Sequence, residues 1–215
     1  MLNTIIHGIP TDLPPLLIVH GLFGSARNWG VIAKRMSDTR QVIAVDQRNH
    51  GDSPRAPSNT YPDMAADLAE VIAAHGGYCD VLGHSMGGKA AMVLALQNGE
   101  MVRRAVIADI APVSYGHSQS HHIAAMRAVD LSQVTRRSDA QAQLAAQGTD
   151  AALQAFFTQS LDVAEKRWKL NLDVLEDQMP HILGFPEMSA RFDGPVLFLS
   201  GAVSDYVRPE HRERI

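Results

Sequence analysis

Residues 79–98 read CDVLGHSMGGKAAMVLALQN, and this stretch constrains the fold more than any other part of the chain. A short apolar strand pattern, CDVL, runs into Gly83-His84-Ser85-Met86-Gly87-Gly88, and an apolar helix pattern begins at once. A serine at such a strand-to-helix turn takes a strained backbone conformation that lifts its hydroxyl clear of the sheet. A Cβ at position 83 or 87 would collide across so tight a turn, so small residues are needed at both. The helix N-terminus behind Ser85 places partial positive charge where an oxyanion would form. G-x-S-x-G by itself is a weak signal, because a glycine-rich turn can carry a bystander serine. An apolar strand before it and an apolar helix after it give it weight.

The chain around this turn alternates in the same way. Leu16–Val19, Gln41–Asp46, Cys79–Leu82 and Ala105–Ala108 are continuous apolar runs, the pattern of strands buried on both faces. Helical patterns at Trp29–Met36, Met64–His75 and Gly87–Asn98 lie between them, and Leu2–His7 reads as an edge strand. Strands separated by helices of this length form parallel βαβ units with right-handed crossovers. From about residue 117 to 180 the texture changes to Ala, Gln, Asp and Leu without β-branched runs, and Leu153, Phe156, Phe157 and Leu161 form an apolar stripe at helical spacing. The sheet resumes at Pro195–Gly201 (PVLFLSG), read as one more buried strand. The expected fold class is therefore α/β, with a mostly parallel central sheet flanked by helices. Residues 1–112 and 187–215 would form the core, and 113–186 a helical cap.

Composition narrows the function classes. The charge of −4 gives no electrostatic footprint for nucleic acid. A single cysteine, Cys79, excludes an internal disulfide and a multi-cysteine zinc site, which suits a reducing compartment. No apolar run approaches the ~18 residues of a membrane span, and MLNTIIHGIPTD has no signal-peptide pattern. A cytoplasmic protein without a membrane or nucleic-acid partner is expected.

A second element agrees with the serine turn. The strand Leu16–Val19 ends in His20-Gly21-Leu22-Phe23-Gly24, where a loop can present a backbone N–H toward Ser85. The amides of Leu22 and Met86 would then form an oxyanion hole. His20 reads as a brace of that loop rather than a base. Together GHSMGG, HGLFGS and Asp46–Ser53 (DQRNHGDS) resemble the α/β-hydrolase superfamily. DQRNHGDSP, HSMGGKAAM and ADIAPVSY resemble small bacterial carboxyl and acyl-thioester esterases with a helical cap. The resemblance, which runs from about residue 15 onward, implies a serine hydrolase acting on a small acyl ester or thioester, with no metal and no organic cofactor. It also implies that Arg48 and His50 are structural, and a serine at 85 argues against the carboxylate-nucleophile dehalogenases and epoxide hydrolases.

A serine nucleophile needs a base, and the base needs an acid to hold its tautomer. In most of the superfamily the acid follows the strand after the cap, where this chain has Gly201-Ala202-Val203-Ser204-Asp205. Serine stands at the expected position and Asp205 comes one residue late. Asp109 ends the Ala105–Ala108 strand, at the edge where catalytic groups gather in open α/β sheets. The esterases that the chain most resembles use that position, so Asp109 is preferred and Asp205 is the alternative acid.

The superfamily places its histidine after a further strand, roughly 40 residues of structure beyond what Pro195–Ile215 supplies. None of the ten histidines fits that role. His117, His121 and His122 fall at the start of the cap and His211 in an exposed incipient helix. His181 reads as a structural residue closing the cap, and His84 is expected to point away from Ser85. Two readings follow: a hydrolase truncated before its base, which is preferred, or a catalytically silent hydrolase-fold binding module.

Overall fold

The computed structural model describes Met1–Ile215. In chain order the elements are β1 (Thr4–His7), β2 (Leu16–Val19), α1 (Gly30–Met36), β3 (Val42–Val45), α2 (Tyr61–Ala74), β4 (Cys79–His84), α3 (Met86–Gln97) and β5 (Val102–Ala108). Then come α4 (Ser120–Arg127), α5 (Arg137–Ala146), α6 (Ala151–Gln159), β6 (Leu161–Asp162), β7 (Arg167–Trp168), α7 (Leu172–Asp177), α8 (Met179–Leu183) and β8 (Val196–Leu199), with three short 3₁₀ turns between elements and a fourth after β8. No helix is long and apolar enough to cross a membrane.

The main sheet has the order β1-β3-β2-β4-β5-β8. Every pairing is parallel except β1 with β3; β1 is the edge strand that the sequence suggested, and its antiparallel direction is a finding of the structure. The apolar runs are buried because both faces are covered. Leu16, Ile18, Val42 and Ala44 pack with Ala33 of α1 on one face. Leu17, Val19, Ile43 and Val45 join α2 and α3 in the larger core on the other, as the two-residue alternation of a strand requires. In α2 the residues Met64, Ala65, Leu68, Val71 and Ile72 supply the buried stripe, and Thr60 caps its first turn by accepting from the Asp63 amide.

The β8 reading needs correction. Its apolar run predicts burial on both faces, but Val196, Leu197 and Leu199 are about half exposed (43, 56 and 55%). The strand pairs with β5 on one side and with no strand on the other. An apolar run reports what a strand can tolerate, and burial needs neighbours on each flank.

Residues 120–183 form the expected group of short helices between β5 and β8. The antiparallel pair β6–β7 within them was not legible, since two residues per strand leave no alternation to detect. It is held by burial of Leu161 and Trp168, whose indole N–H donates to the Met126 carbonyl at 2.9 Å. Asp150 caps α6 by accepting from the Ala152 and Leu153 amides, and the helix buries Phe157 fully and Phe156 in part.

Candidate active site

The turn between β4 and α3 has the geometry that its glycines require. Ser85 sits at φ 52°, ψ −121°, a conformation a side-chain-bearing residue adopts only when its surroundings impose it. Its own amide donates to the Ala108 carbonyl at 2.9 Å, and its carbonyl accepts from the Gly88 and Lys89 amides. A Cβ on Gly83 would lie 2.3 Å from the Gly87 carbonyl oxygen. One on Gly87 would lie 2.4 Å from the carbonyl oxygens of both Val19 and His20. Backbone alone fills this space.

The loop after β2 is fixed by two buried histidines. His20 Nε2 accepts the Gln47 amide at 2.9 Å, and Nδ1–H donates to the Gly21 carbonyl at 2.8 Å. His50 Nε2 accepts the Phe23 amide, and its Nδ1–H donates to the Arg48 carbonyl. Each ring must be neutral to accept and donate in this way. Burial pushes His20 down to about 4 and His50 to about 3, and their mutual proximity, 5.1 Å between ring centres, acts on His50 in the same direction. Asp46 adds a carboxylate that accepts from the Ala26 and Asp52 amides and from Asn3. Arg48 forks onto Asp67. The 46–53 turn therefore braces the loop. The Leu22 and Met86 amides are left without protein acceptors.

Ser85, Leu22, Met86 and Asp109 line one cavity of about 520 Å³. Its apolar lining includes Trp29 and Ile32 from the core and Leu153, Phe156, Phe157 and Ile182 from the helical insertion. Phe157 is fully buried and stacks edge-on against Phe23, whereas Phe156 is half-buried at the wall. Asp109 follows β5 at φ 56°. Its amide donates to the Leu199 carbonyl at 2.7 Å, and its Oδ1 faces the Gly201 amide at 3.3 Å. Asp205 does not reach the cavity. Its carboxylate is 91% exposed and lies 4.0 Å from Arg208.

A family model for the alpha/beta hydrolase fold matches residues 14–213. The chain belongs to that family. It is 40% identical over 216 residues to the sn-1-specific diacylglycerol lipase ABHD11 of Mus musculus, covering 94% of this chain and 70% of the relative. It is 39% identical over 202 residues to esterase YbfF of Escherichia coli, covering 93% and 78%. A solved marine microorganism esterase superposes with a TM-score of 0.90 at 35% identity, covering 98% of this chain and 84% of that one.

The histidines of this hydrolase fold are dispersed over several elements. His84 lines the same cavity as Ser85, with its ring 6.0 Å from that of Trp29, and its pKa is lowered by burial and partly restored by Asp109. His122 lies against Phe157 in the cavity wall and is likewise lowered by burial. His117 pairs with the Tyr206 hydroxyl at 2.9 Å, and His121 is exposed. His181 is exposed at the end of α8 rather than closing anything, because α8 turns Met179 and Ile182 inward instead. His211 is half-buried against Tyr115. None of the ten hydrogen-bonds to Ser85 or Asp109. Sequence reasoning missed Lys89, which is buried in the cavity wall. The available signal was one charged residue in the otherwise apolar run GGKAAMVLAL.

Proposed function

We propose that this protein is a serine hydrolase that cleaves carboxylic esters or acyl thioesters through an acyl-enzyme on Ser85. The observation that carries the reading is the strained Ser85 facing the cavity beside two amides, Leu22 and Met86, that have no protein acceptor. Ser85 Oγ attacks the acyl carbon and gives its proton to a base, while the two N–H groups receive the oxyanion. The C–O or C–S bond breaks, and the alcohol or thiol leaves with that proton. Water then cleaves the Ser85 ester and releases the carboxylic acid. Asp109 orients the base; it lines the cavity, whereas Asp205 lies outside it in solvent, which supports this assignment. Residues 113–186 act as the cap that supplies the apolar acyl wall, and a volume of about 520 Å³ lies within the ordinary range of small-molecule sites.

The base is a histidine brought to the Ser85–Asp109 side of the cavity, and no histidine of these 215 residues bonds there. That observation also favours a second reading, a ligand-binding hydrolase fold without turnover. Turnover of p-nitrophenyl esters by protein purified from its native source, beside an intact-mass measurement and the Ser85→Ala variant, separates the two. The hydrolase reading expects Ser85→Ala to lower kcat by about 10⁴-fold or more. Equal rates in the two proteins would reject it.

A further inference from the structure

Lys89 is the only fully buried lysine or arginine in the chain, 1% exposed, and the serine chemistry does not use it. It stands one helical turn after Ser85 on α3. Its Nζ donates to three backbone carbonyls: Val113 at 2.8 Å, Leu183 at 2.8 Å and Gly184 at 2.5 Å. Val113 lies on the segment that leaves β5 for the helical insertion, and Leu183 and Gly184 lie where the chain returns from α8. The two crossings also meet each other, through the Tyr115 amide and the Leu183 carbonyl at 3.0 Å. Lys89 is what joins both of them to the helix that starts at the nucleophile.

We propose that Lys89 is a positioning residue whose ammonium pins both crossings of the helical insertion to α3 and so sets the seat of the apolar wall over Ser85. The inference rests on the hydrolase reading only in taking that wall as the acyl site.

An ammonium has three N–H donors, and three carbonyls receive them. A neutral amine has two donors and turns a lone pair toward one of those oxygens. A guanidinium, planar and forked, does not converge on three acceptors from one atom, so arginine is no substitute. The charge has no ion-pair partner. Tyr115 from the outgoing crossing and Tyr61 from α2 present their rings to it, with centroids 4.7 and 5.6 Å away. Those two are the titratable groups that face it. α3 carries no other titratable side chain, and His181 of α8 is exposed. Burial alone pushes Lys89 down to about 7, which brings its loss of charge within reach of a titration in the folded state.

The test uses the full chain labelled with ¹⁵N. Each accepting carbonyl is reported by the amide that follows it, so the Ser114, Gly184 and Phe185 resonances are expected to move together with the Lys89 Nζ signal, at one shared midpoint. In Lys89→Met, hydrogen exchange of amides in 113–118 and 182–186 is expected to rise about tenfold or more, while α2 and β4 keep wild-type rates. Amides that ignore the Lys89 titration, or an exchange increase spread evenly over the chain, would overturn the proposal. If Lys89→Met does not fold, the wild-type titration alone decides. Ester turnover is recorded beside it on protein purified from its native source. A linked titration in a protein without Ser85-dependent turnover keeps the clamp and removes the hydrolase reading, and the converse removes only the clamp.

Discussion

The two sides of the cavity are built on different principles. On the Ser85 side the walls are backbone: Gly83 and Gly87 admit no Cβ, two buried histidines accept and donate main-chain hydrogen bonds, and the Leu22 and Met86 amides point where no protein group answers. On the insertion side the walls are side chains, chiefly Leu153, Phe156, Phe157 and Ile182, carried on short helices. A backbone wall tolerates almost no change, because every atom in it is also part of the sheet or a helix end. A side-chain wall can change volume while the fold persists. On the proposed mechanism, reaction type would be held by the rigid side and acyl preference by the adaptable one.

Four measurements would break or sharpen that contrast. The largest effect is expected at the carboxylate of the rigid side. Asp109→Asn should lower kcat for a short p-nitrophenyl ester by about 10⁴-fold, with Asp205→Asn within about twofold of wild type. Unchanged turnover in Asp109→Asn would remove it from the mechanism.

Acid should attack the same side first. His20 and His50 are held below their unfolded values, so unfolding below pH 6.5 takes up protons that the folded state refuses. Their contribution is complete above pH 6.5 and is lost as pH falls toward about 4 and about 3. Two such groups give a slope of about 2.7 kcal/mol per pH unit between roughly pH 6 and 4.5. His84 and His122 add in the same direction. Urea midpoints at three pH values read this directly, and a flat profile would show that the two rings do not brace the loop as neutral acceptors.

Gly87→Ala forces a methyl onto two carbonyl oxygens and should cost about 1–3 kcal/mol of stability by thermal melting. It should also lower turnover by about 10²-fold as the Ser85 geometry relaxes. The smallest effect belongs to the side-chain wall. Phe156→Ala should change the ratio of kcat/KM for octanoyl over acetyl esters by about tenfold and cost under about 2 kcal/mol of stability, since its ring is half-buried. A selectivity change as large at Gly87 as at Phe156 would erase the distinction between the two sides.

Much of the rigid side was legible because its signals are local. The glycine spacing around Ser85, the apolar runs of β2, β3, β4 and β5, and the DQRNHGDS turn each express a constraint that acts within a few residues. The adaptable side was legible only as texture. Its stripe at Phe156 and Phe157 predicted helices, but not the β6–β7 pair or the inward turn of α8. β8 shows the limit of such reading: its residues are those of a buried strand, and its exposure follows from having β5 on one flank and no strand on the other.

Local sequence was enough to set the strand–serine–helix turn and the parallel α/β order, because strand alternation, helix period and glycine's freedom at a tight turn are short-range properties. Which aspartate shares the cavity with Ser85 was decided by tertiary structure, since it depends on β5 lying beside β4 and on a loop that turns Asp205 to solvent. The same is true of Lys89. Its charge in an apolar helix has no meaning until two chain segments about 70 residues apart bring three carbonyls to one nitrogen.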